Sequence, residues 1–389
     1  MPGQRFTAVE MIEKLVSFDT TSRDSNLPLI EFVEDYLKGH GVASTRIPDE
    51  TGKKANLYAT IGPKNVPGIV LSGHTDVVPV DGQPWVTDPF KVVEKEGRLY
   101  GRGTADMKSF SAVGLSMVPK FVERPLKTPI HFALSYDEEV GCLGAPRMIA
   151  QLEKLGVRPK IVIVGEPTDM TVVNAHKGVH SFRTELTGLE QHSSATHLGV
   201  NAVMYAADII HFLSGLAEEW KATRSQPGSG FEPPYTTIHV GTIQGGTAQN
   251  IIPRHCVFTW EYRLIPGDDG AEIRRRFDDY VEGTVLPKMR AVWPEAGVQT
   301  VPRASVPGLM PEDGSPAEAL CLALARTNEV GVVSYGTEAG QFQEAGISTV
   351  ICGPGSIAQA HKPNEFIELS QVRKCEDFMQ RLLDEVCRG

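Results

Sequence analysis

Histidine and acidic residues follow successive apolar, strand-like runs along this chain, and their types and spacing predict metal chemistry. They are His74, Asp106, Glu138, Glu139, Glu166 and His361. Side chains that follow buried strands meet in a crevice at the carboxyl edge of an open α/β sheet, where such folds bind their ligands. Two imidazoles with three carboxylates form a ligand set suited to a pair of zinc-like ions. The pattern therefore predicts a dinuclear metal centre of the kind that hydrolases use.

The short side chain of Asp106 is the expected bridge between the two ions. Paired ions about 3.5–4 Å apart share one carboxylate, and Asp106 lies at a predicted strand-to-helix turn. We expect His74 and Glu166 to complete the shell of one ion. We expect Glu139 and His361 to complete the shell of the other.

The adjacent pair Glu138 and Glu139, together with Asp76, predicts functions beyond ligation. Successive residues of a strand point to opposite sides, so one glutamate would bind a metal while its neighbour takes a proton from water. Asp76 follows His74 by two residues, and its carboxylate is expected to accept the second imidazole N–H. Each residue taken alone also has a structural interpretation, such as a helix N-cap at Asp106. The presence of five potential ligands at successive strand ends argues against a purely structural interpretation.

Polar residues in the middle of the chain are candidates for contacts with a substrate. His192 precedes two serines, and its imidazole suits the polarisation of a carbonyl group. Asn250 ends a turn-forming stretch that begins at Gly245, where backbone and side-chain amides suit a ligand. Arg263 follows a strand-like run, and a guanidinium suits a carboxylate. The structural alternatives are a surface ion pair for Arg263 and a turn for Asn250.

Composition indicates a globular protein and excludes several classes of function. The 389 residues are 41% hydrophobic and 22% charged, which is ordinary for globular proteins, and the length allows two domains. A net charge of −10 without a basic cluster argues against nucleic acid as a partner. No apolar run reaches the ~20 residues that span a membrane, and no signal-peptide stretch precedes the first helix. The six cysteines show no paired spacing, so we expect a cytoplasmic protein with reduced thiols.

The order of predicted elements indicates an α/β domain interrupted by an α+β insertion. Thr7 and Glu10 form a predicted capping box before the first helix. Apolar strands then alternate with helices; the strands are predicted at 56–61, 69–73, 130–135 and 161–164, and the helices at 107–122 and 144–155. From residue 171 half-exposed strands and two helices are typical of a split βαβ unit; the strands are predicted within 171–186 and at 236–243 and 256–264, and the helices at 200–213 and 271–281. The predicted domain limits are 1–176 and 291–389 for the discontinuous catalytic domain, and 177–290 for the insertion.

Five motifs, in this order along the chain, resemble those of the M20 family of metallopeptidases and deacylases. They are Ser72-Gly73-His74-Thr75-Asp76, Gly103-Thr104-Ala105-Asp106-Met107-Lys108, Asp137-Glu138-Glu139-Val140-Gly141, Gly165-Glu166-Pro167-Thr168 and His361-Lys362-Pro363. The resemblance covers essentially the whole chain. It implies a dizinc aminopeptidase-like α/β catalytic domain with an inserted α+β, ferredoxin-like dimerisation or lid domain. It also implies two Zn²⁺ ions, which Co²⁺ can replace, and a homodimer.

The same resemblance implies a role for each candidate residue. The ligands would be His74, Asp106 and Glu166 for one zinc, and Asp106, Glu139 and His361 for the other. Glu138 would be the general acid and base, and His192 would reach the active site of the partner subunit. Asn250 and Arg263 would bind the carboxylate of the substrate.

Within the family, four stretches resemble the acetylornithine deacetylases most; they are 135–142, 233–237, 336–340 and 352–357. They imply hydrolysis of N2-acetyl-L-ornithine to L-ornithine and acetate, a step of arginine biosynthesis, with Glu338 paired to the ammonium group of the substrate. Gln191 and Thr196 depart from the residues usual beside His192, which leaves open another N-acyl amino acid, such as N-acetylcitrulline, or a dipeptide. A non-catalytic binding protein is the alternative from another class, and the intact ligand set argues against it.

Overall fold

Two units make up the chain, and the second interrupts the first in sequence. The computed structural model describes residues 3–154, 156–157 and 159–388. Unit 1 extends to Ala175 and resumes over Leu309–Val332 and from Thr337 onward, whereas unit 2 comprises His176–Gly308 and Val333–Gly336. The outermost predicted domain limits, at residues 1 and 389, and the predicted helix end at residue 155 lie outside the described residues.

The residue bounds of the helices and strands are given in chain order. The helices are α1 (Ala8–Val16), α2 (Leu27–Gly39), α3 (Lys108–Ser116), α4 (Val118–Glu123), α5 (Gly144–Lys154), α6 (Ala202–Thr223), α7 (Gly270–Tyr280), α8 (Leu286–Val292), α9 (Pro316–Ala325), α10 (Ala339–Glu344) and α11 (Leu369–Arg388). The strands are β1 (Ser44–Pro48), β2 (Ala55–Ile61), β3 (Ile69–His74), β4 (Val93–Lys95), β5 (Arg98–Tyr100), β6 (Ile130–Ser135), β7 (Ile161–Pro167), β8 (Val172–His176), β9 (Gly178–Thr187), β10 (Thr237–Gly245), β11 (His255–Leu264), β12 (Gly297–Val306), β13 (Val330–Val333), β14 (Ser348–Gly353) and β15 (Phe366–Glu368).

The large sheet of unit 1 has the order β1-β2-β6-β3-β7-β14-β8-β13. Its four middle strands, β6, β3, β7 and β14, run parallel to one another, and all their residues are buried. Continuous burial is the pattern of a parallel sheet that is covered on both faces. Because these strands are parallel, their carboxyl ends share one edge of the sheet, which is the edge that the candidate site requires.

The helices of unit 1 form as the sequence predicts, with one difference. Thr7 caps α1 in a reciprocal capping box with Glu10, which confirms that prediction. The predicted helix at 107–122 is divided instead into α3 and α4, which meet at Met117. Pro119 explains the division, because a proline lacks the N–H that an uninterrupted helix needs at that position and its ring clashes with the preceding turn.

Unit 2 is a four-stranded antiparallel sheet with the helices α6, α7 and α8, in the chain order β9-α6-β10-β11-α7-α8-β12. The strand order in the sheet is β10-β11-β9-β12, which is the split βαβ arrangement of ferredoxin-like folds. Large aromatic side chains fill its core, among them Trp220, Trp260, Phe258 and Phe277. The prediction that the inserted segment has an α+β, ferredoxin-like fold is therefore confirmed.

The second limit of the insertion differs from the predicted one. The predicted insertion ends at residue 290, whereas its fourth strand is β12, and unit 2 continues to Gly308. Strand β8, which falls within the predicted limits of the catalytic domain, lies in the large sheet of unit 1. β12 is an edge strand, mostly exposed, with an irregularity between Pro302 and Ala304. Proline at a bulge on an edge strand is a common arrangement, and it hides the alternation by which strands are recognised.

The described residues contain no helix that is both long and apolar enough to cross a bilayer. No disulfide joins any of the six cysteines, which are Cys142, Cys256, Cys321, Cys352, Cys375 and Cys387.

Acid is expected to destabilise unit 1 through His131, a buried residue of β6 whose Nδ1 lies 2.9 Å from Thr60 Oγ1. Burial lowers the pKa of His131 to about 4, while an unfolded histidine titrates near ~6.5. Between these values the unfolded chain binds a proton that the folded chain does not, so stability falls as pH falls from about 6.5 toward about 4. At about pH 5 the loss is about 2 kcal/mol.

The test is urea unfolding of the wild type and His131→Gln at about pH 7.5 and about pH 5, since linkage acts between those values. The variant is expected to lose less stability than the wild type on acidification. The exposed His211 of α6, replaced in the same way, is the control. An identical loss in wild type and His131→Gln would contradict the expectation.

Candidate active site

The candidate residues of unit 1 gather at the carboxyl edge of the parallel strands. His74 is the last residue of β3 and Glu166 lies near the end of β7. Glu138 and Glu139 follow β6 in a turn, and β6 and β7 are the two neighbours of β3 in the sheet. Asp106 lies two residues before the start of α3. The arrangement is the crevice that the strand pattern predicts.

Asp106 lies between the two histidines and presents one carboxylate oxygen to each. Its Oδ1 is 3.1 Å from His74 Nε2, and its Oδ2 is 3.2 Å from His361 Nε2. On one side, Glu166 Oε1 lies 3.9 Å from His74 Nε2. On the other side, Glu139 Oε2 lies 3.0 Å from His361 Nε2. A carboxylate with one oxygen on each side is the geometry that a bridging ligand needs.

The imidazole of His74 is held in the orientation of a ligand. Its Nδ1 lies 2.9 Å from the backbone carbonyl oxygen of Asp76, and a carbonyl accepts only if Nδ1 carries the proton. Nε2 is then the ring nitrogen that faces Asp106 and Glu166. The prediction that the Asp76 carboxylate accepts this proton is wrong, because Asp76 Oδ1 lies 3.7 Å from Nδ1 and the main chain takes its place.

The carboxylate of Asp76 instead holds the turn that carries the two glutamates. Its Oδ1 accepts the backbone N–H of Glu138 at 3.1 Å, and its Oδ2 accepts that of Glu139 at 3.3 Å. The hydroxyl of Ser22 donates to the same Oδ2 at 2.7 Å. Ser22 is distant in sequence from the motifs, and no feature of the sequence predicts its position. Asp76 therefore fixes the backbone from which the side chains of Glu138 and Glu139 extend.

Replacing Asp76 by asparagine is expected to lower kcat by about 10- to 100-fold, the usual cost of losing a supporting contact. An amide has one acceptor atom, so one of the two backbone N–H groups would face an NH₂ group. Steady-state kinetics with metal analysis would measure the effect, and Ser22→Ala, which removes one hydroxyl donor, is expected to cost less. Unchanged kcat in Asp76→Asn would show that the turn holds without this carboxylate.

Glu138 lies half-buried above the cluster with a thiol beside it. Cys142 Sγ donates to Glu138 Oε1 at 3.1 Å. Burial and the charge of Glu138 raise the pKa of Cys142 well above its ordinary value, so the thiol keeps its proton and acts as a donor. Burial, opposed by the charge of His74 and assisted by that of Glu139, raises the pKa of Glu138 to about 8. A carboxyl group with that pKa exchanges protons near neutral pH.

The cluster holds more carboxylates than imidazoles in a small buried volume. Burial and the charge of Asp106 raise the pKa values of Glu139 and Glu166. Hydrogen bonds that His361 donates to the carboxylates of Asp106 and Glu139 raise the pKa of His361 to about 10. Burial opposes ionisation of Asp106, but hydrogen bonds with both histidines lower its pKa. Like charges that crowd together in this way favour a bound cation.

The residues fit a pair of metal ions. Glu166 Oε1 is a buried carboxylate oxygen with no hydrogen-bond partner among the described residues. An oxygen that binds a metal ion needs no hydrogen-bond donor, so this atom suits a metal ligand. Ligand atoms of His74, Glu138 and Glu166 lie within 4.8 Å of one another, and so do those of His74, Asp106 and Glu139. Imidazole and carboxylate donors suit zinc and similar divalent ions.

Glu338 is buried between two strands of the large sheet. It is 1% exposed, its Oε1 accepts the hydroxyl of Ser72 at 2.6 Å, and its Oε2 accepts the hydroxyl of Ser135 at 2.7 Å. Both oxygens are thus used between the ends of β3 and β6. A side chain in this position supports the strand ends, and its contact with a substrate ammonium group stays a prediction.

The candidate residues of unit 2 fall into two places. His192 is exposed and forms a bridge with Ile251, and the carbonyl of Asn250 accepts the N–H of Ser193 at 3.0 Å. His192 and Asn250 are therefore neighbours. Arg263 lies near the other end of β11, about 25 Å along the strand from its start, and its Nε donates to Glu261 at 2.9 Å.

Comparison with known proteins gives the family of the chain. Residues 70–385 match peptidase family M20/M25/M40. The acetylornithine deacetylase of Myxococcus xanthus is 34% identical over 400 residues, covering 100% of this chain and 99% of that protein. The acetylornithine deacetylase of Proteus mirabilis is 34% identical over 390 residues, covering 98% of this chain and 97% of that protein.

Solved structures share the fold. The M20 family metallo-carboxypeptidase Sso-CP2 of Sulfolobus solfataricus superposes with a TM-score of 0.77 at 17% identity, covering 99% of this chain and 100% of that one. The YXEP protein of Bacillus subtilis, described as a dinuclear metal-binding peptidase of the M20 family, has a TM-score of 0.68 at 16% identity, covering 98% of each chain. The motifs, the fold and the full-length relatives agree, and the chain belongs to peptidase family M20/M25/M40 as an amidohydrolase.

Proposed function

We propose that this protein hydrolyses the amide bond of N2-acetyl-L-ornithine, releasing L-ornithine and acetate. The observation that carries the proposal is Asp106, whose two oxygens face two histidines, with Glu138 beside them. Relatives named acetylornithine deacetylase match over their whole length at 31–34% identity, and they support the choice of substrate. The protein would then serve arginine biosynthesis. Its six free cysteines favour a reducing compartment such as the cytoplasm.

Two zinc ions are the proposed cofactors. His74, Asp106 and Glu166 would hold one, and Asp106, Glu139 and His361 would hold the other. Bound there, the ions would polarise the amide carbonyl and make water more acidic. The chain itself contributes the orientation of the His74 ring and the position of Asp106 between the two histidines.

Glu138 is the proposed general base and acid. Its carboxylate would take a proton from the attacking water, and it would return that proton to the leaving nitrogen of ornithine. Cys142 donates to one of its oxygens at 3.1 Å, so the other oxygen is the one left to accept the proton. The contacts from Asp76 to the main chain keep this oxygen in place during turnover.

The arrangement of unit 2 supports a homodimer. His192 and Asn250 are neighbours in the loops before the start of β11, while Arg263 lies near the far end of that strand, about 25 Å from its start. An N-acyl amino acid is shorter than that span, so one molecule would not meet all three residues of a single chain. With two chains, Arg263 of one and His192 and Asn250 of the other would serve the same substrate. His192 would polarise the carbonyl, and Arg263 and Asn250 would bind the carboxylate.

The experiment is acetate release from N2-acetyl-L-ornithine by zinc- or cobalt-loaded protein and by chelated protein. N-acetylcitrulline, other N-acetyl amino acids and a dipeptide are assayed beside it, and Glu138→Gln protein is the control for contaminating activity. Metal-dependent turnover that is fastest with N2-acetyl-L-ornithine supports the proposal. Faster turnover of another compound moves the assignment to that substrate, and protein that binds no metal overturns the proposed centre.

A further inference from the structure

We propose that Glu365 is a positioning residue, which locks the loop that carries Asp106 to the loop that carries His361 and so sets the affinity of the site for its ions. The inference rests on the proposed dinuclear centre. Glu365 follows His361 by four residues, next to the motif but outside every ligand position. Its side chain is 0% exposed, and it pairs with Arg102, which is 1% exposed.

The first half of the contact is with the loop of Asp106. Glu365 Oε1 accepts three backbone N–H groups, from Gly103 at 3.0 Å, Ala105 at 2.8 Å and Asp106 at 3.1 Å. Its own carbonyl accepts the N–H of Gly101 at 2.9 Å. One buried oxygen thus fixes the main chain of the bridging residue itself. Three N–H groups converging on one carboxylate oxygen form a nest that favours negative charge.

The second half of the contact is with the loop of His361. Glu365 Oε2 accepts Arg102 Nη1 at 2.7 Å, and the same Nη1 donates to the carbonyl of Lys362 at 3.3 Å. Arg102 Nη2 donates to Gln83 Oε1 at 2.6 Å, and Gln83 Nε2 donates to the carbonyl of His361 at 3.0 Å. His361 has φ of 63°, a conformation that a non-glycine residue keeps only when its surroundings hold it.

The chemistry requires a carboxylate rather than any buried polar group. One oxygen must accept three N–H groups while the other accepts a guanidinium, so both ends of the side chain must be acceptors. Glutamine has the same shape but one acceptor atom. Its NH₂ group would face either the three backbone N–H groups or the guanidinium of Arg102. In both orientations hydrogen-bond donors would face one another with no acceptor between them. A buried ion pair that loses one partner leaves the other charge uncompensated.

The experiment compares wild type, Glu365→Gln and Glu368→Gln, titrating each metal-free protein with Co²⁺ by calorimetry and recording the visible spectrum of bound cobalt. Glu368 is the matched control, because its side chain is 50% exposed and its ion pair with Arg98 lies outside these loops. Glu365→Gln is expected to raise the Kd for Co²⁺ by about 10- to 100-fold, as loss of a ligand-supporting group does, and to change the cobalt spectrum. Glu368→Gln is expected to match the wild type in both.

A purely structural role gives a different result. Glu365→Gln would then unfold at a lower temperature when metal-free, yet bind Co²⁺ with the wild-type Kd and spectrum, and that outcome overturns the inference. Gln83→Ala covers the case in which Glu365→Gln does not fold. It removes the hydrogen bonds that connect Arg102 through Gln83 to the carbonyl of His361, and Gln83 is only partly buried. We expect about a two- to five-fold rise in Kd for Gln83→Ala, a smaller cost for a partly exposed contact, and no rise overturns this connection. Wild-type protein that binds no Co²⁺ would overturn the proposed centre itself, and the inference with it.

Discussion

Replacing Glu138 by glutamine is expected to lower kcat by about 10²- to 10⁴-fold, the usual contribution of a general acid–base residue. Glutamine keeps the size of the side chain and its contact with Cys142, but it neither takes a proton from water nor returns one to the leaving amine. Because Glu138 is proposed to act beside the ligands and not as one of them, the variant should still bind two metal ions per chain. Steady-state kinetics on N2-acetyl-L-ornithine and metal analysis of the same sample measure both quantities.

The metal content decides between two roles for Glu138. Its carboxylate lies within 4.8 Å of ligand atoms of His74 and Glu166, so a direct contact with an ion is the competing interpretation. Loss of one ion per chain in Glu138→Gln would establish that interpretation and contradict the assignment as the base. Glu153, an exposed residue of α5, provides the control, and Glu153→Gln is expected to change neither activity nor metal content.

The second large effect is expected from Asp106→Asn. An asparagine offers one weak acceptor where Asp106 offers two charged oxygens, at 3.1 Å and 3.2 Å from the two histidines. We expect affinity for both ions to fall and turnover to drop below detection, because a bridging ligand serves both positions. Titration of the metal-free protein with Zn²⁺ or Co²⁺, followed by the acetate assay, would measure the two losses.

His361→Gln is the informative comparison for Asp106→Asn. His361 lies on one side of the cluster, with Glu139 at 3.0 Å, so its loss should weaken one ion and spare the other. A stoichiometry near one ion per chain in His361→Gln, against a lower one in Asp106→Asn, would fit the bridge. If Asp106→Asn bound two ions with wild-type affinity, the assignment of Asp106 as the bridge would be wrong.

The sequence predicts the candidate ligands well because their placement depends on regular structure. His74 and Glu166 end parallel strands, and parallel neighbours bring their carboxyl ends to one edge. The contacts around those residues depend on loop conformation, which no periodic pattern specifies. Asp76 illustrates this: its spacing from His74 predicts a contact through the carboxylate, while the chain turns so that its backbone carbonyl makes the contact.

The residues that support the site were harder to predict for the same reason. Ser22 and Glu365 act through partners far away in sequence, and Glu338 has both oxygens between two strands that precede it by about two hundred residues or more. Glu365 follows the His361 motif closely, and an acidic residue there was the available signal. In unit 2 the prediction for α7 is close, whereas α6 continues to Thr223, ten residues beyond its predicted end, and α8 is not predicted. β12 is not predicted either, because it is largely exposed and contains Pro302.

The position of β14 in the large sheet affects how the protein is made. β14 pairs with β7 on one side and β8 on the other, yet it is synthesised after all of unit 2, including its last short segment Val333–Gly336. Until it emerges, the nascent chain exposes an unpaired edge at β7, a state that invites aggregation and prolongs dependence on chaperones. Pairing strands so distant in sequence also slows folding. His361 and Glu365 follow β14 in the same late part of the chain, so the proposed metal centre is completed only after the strand that closes the edge of β7 has been made.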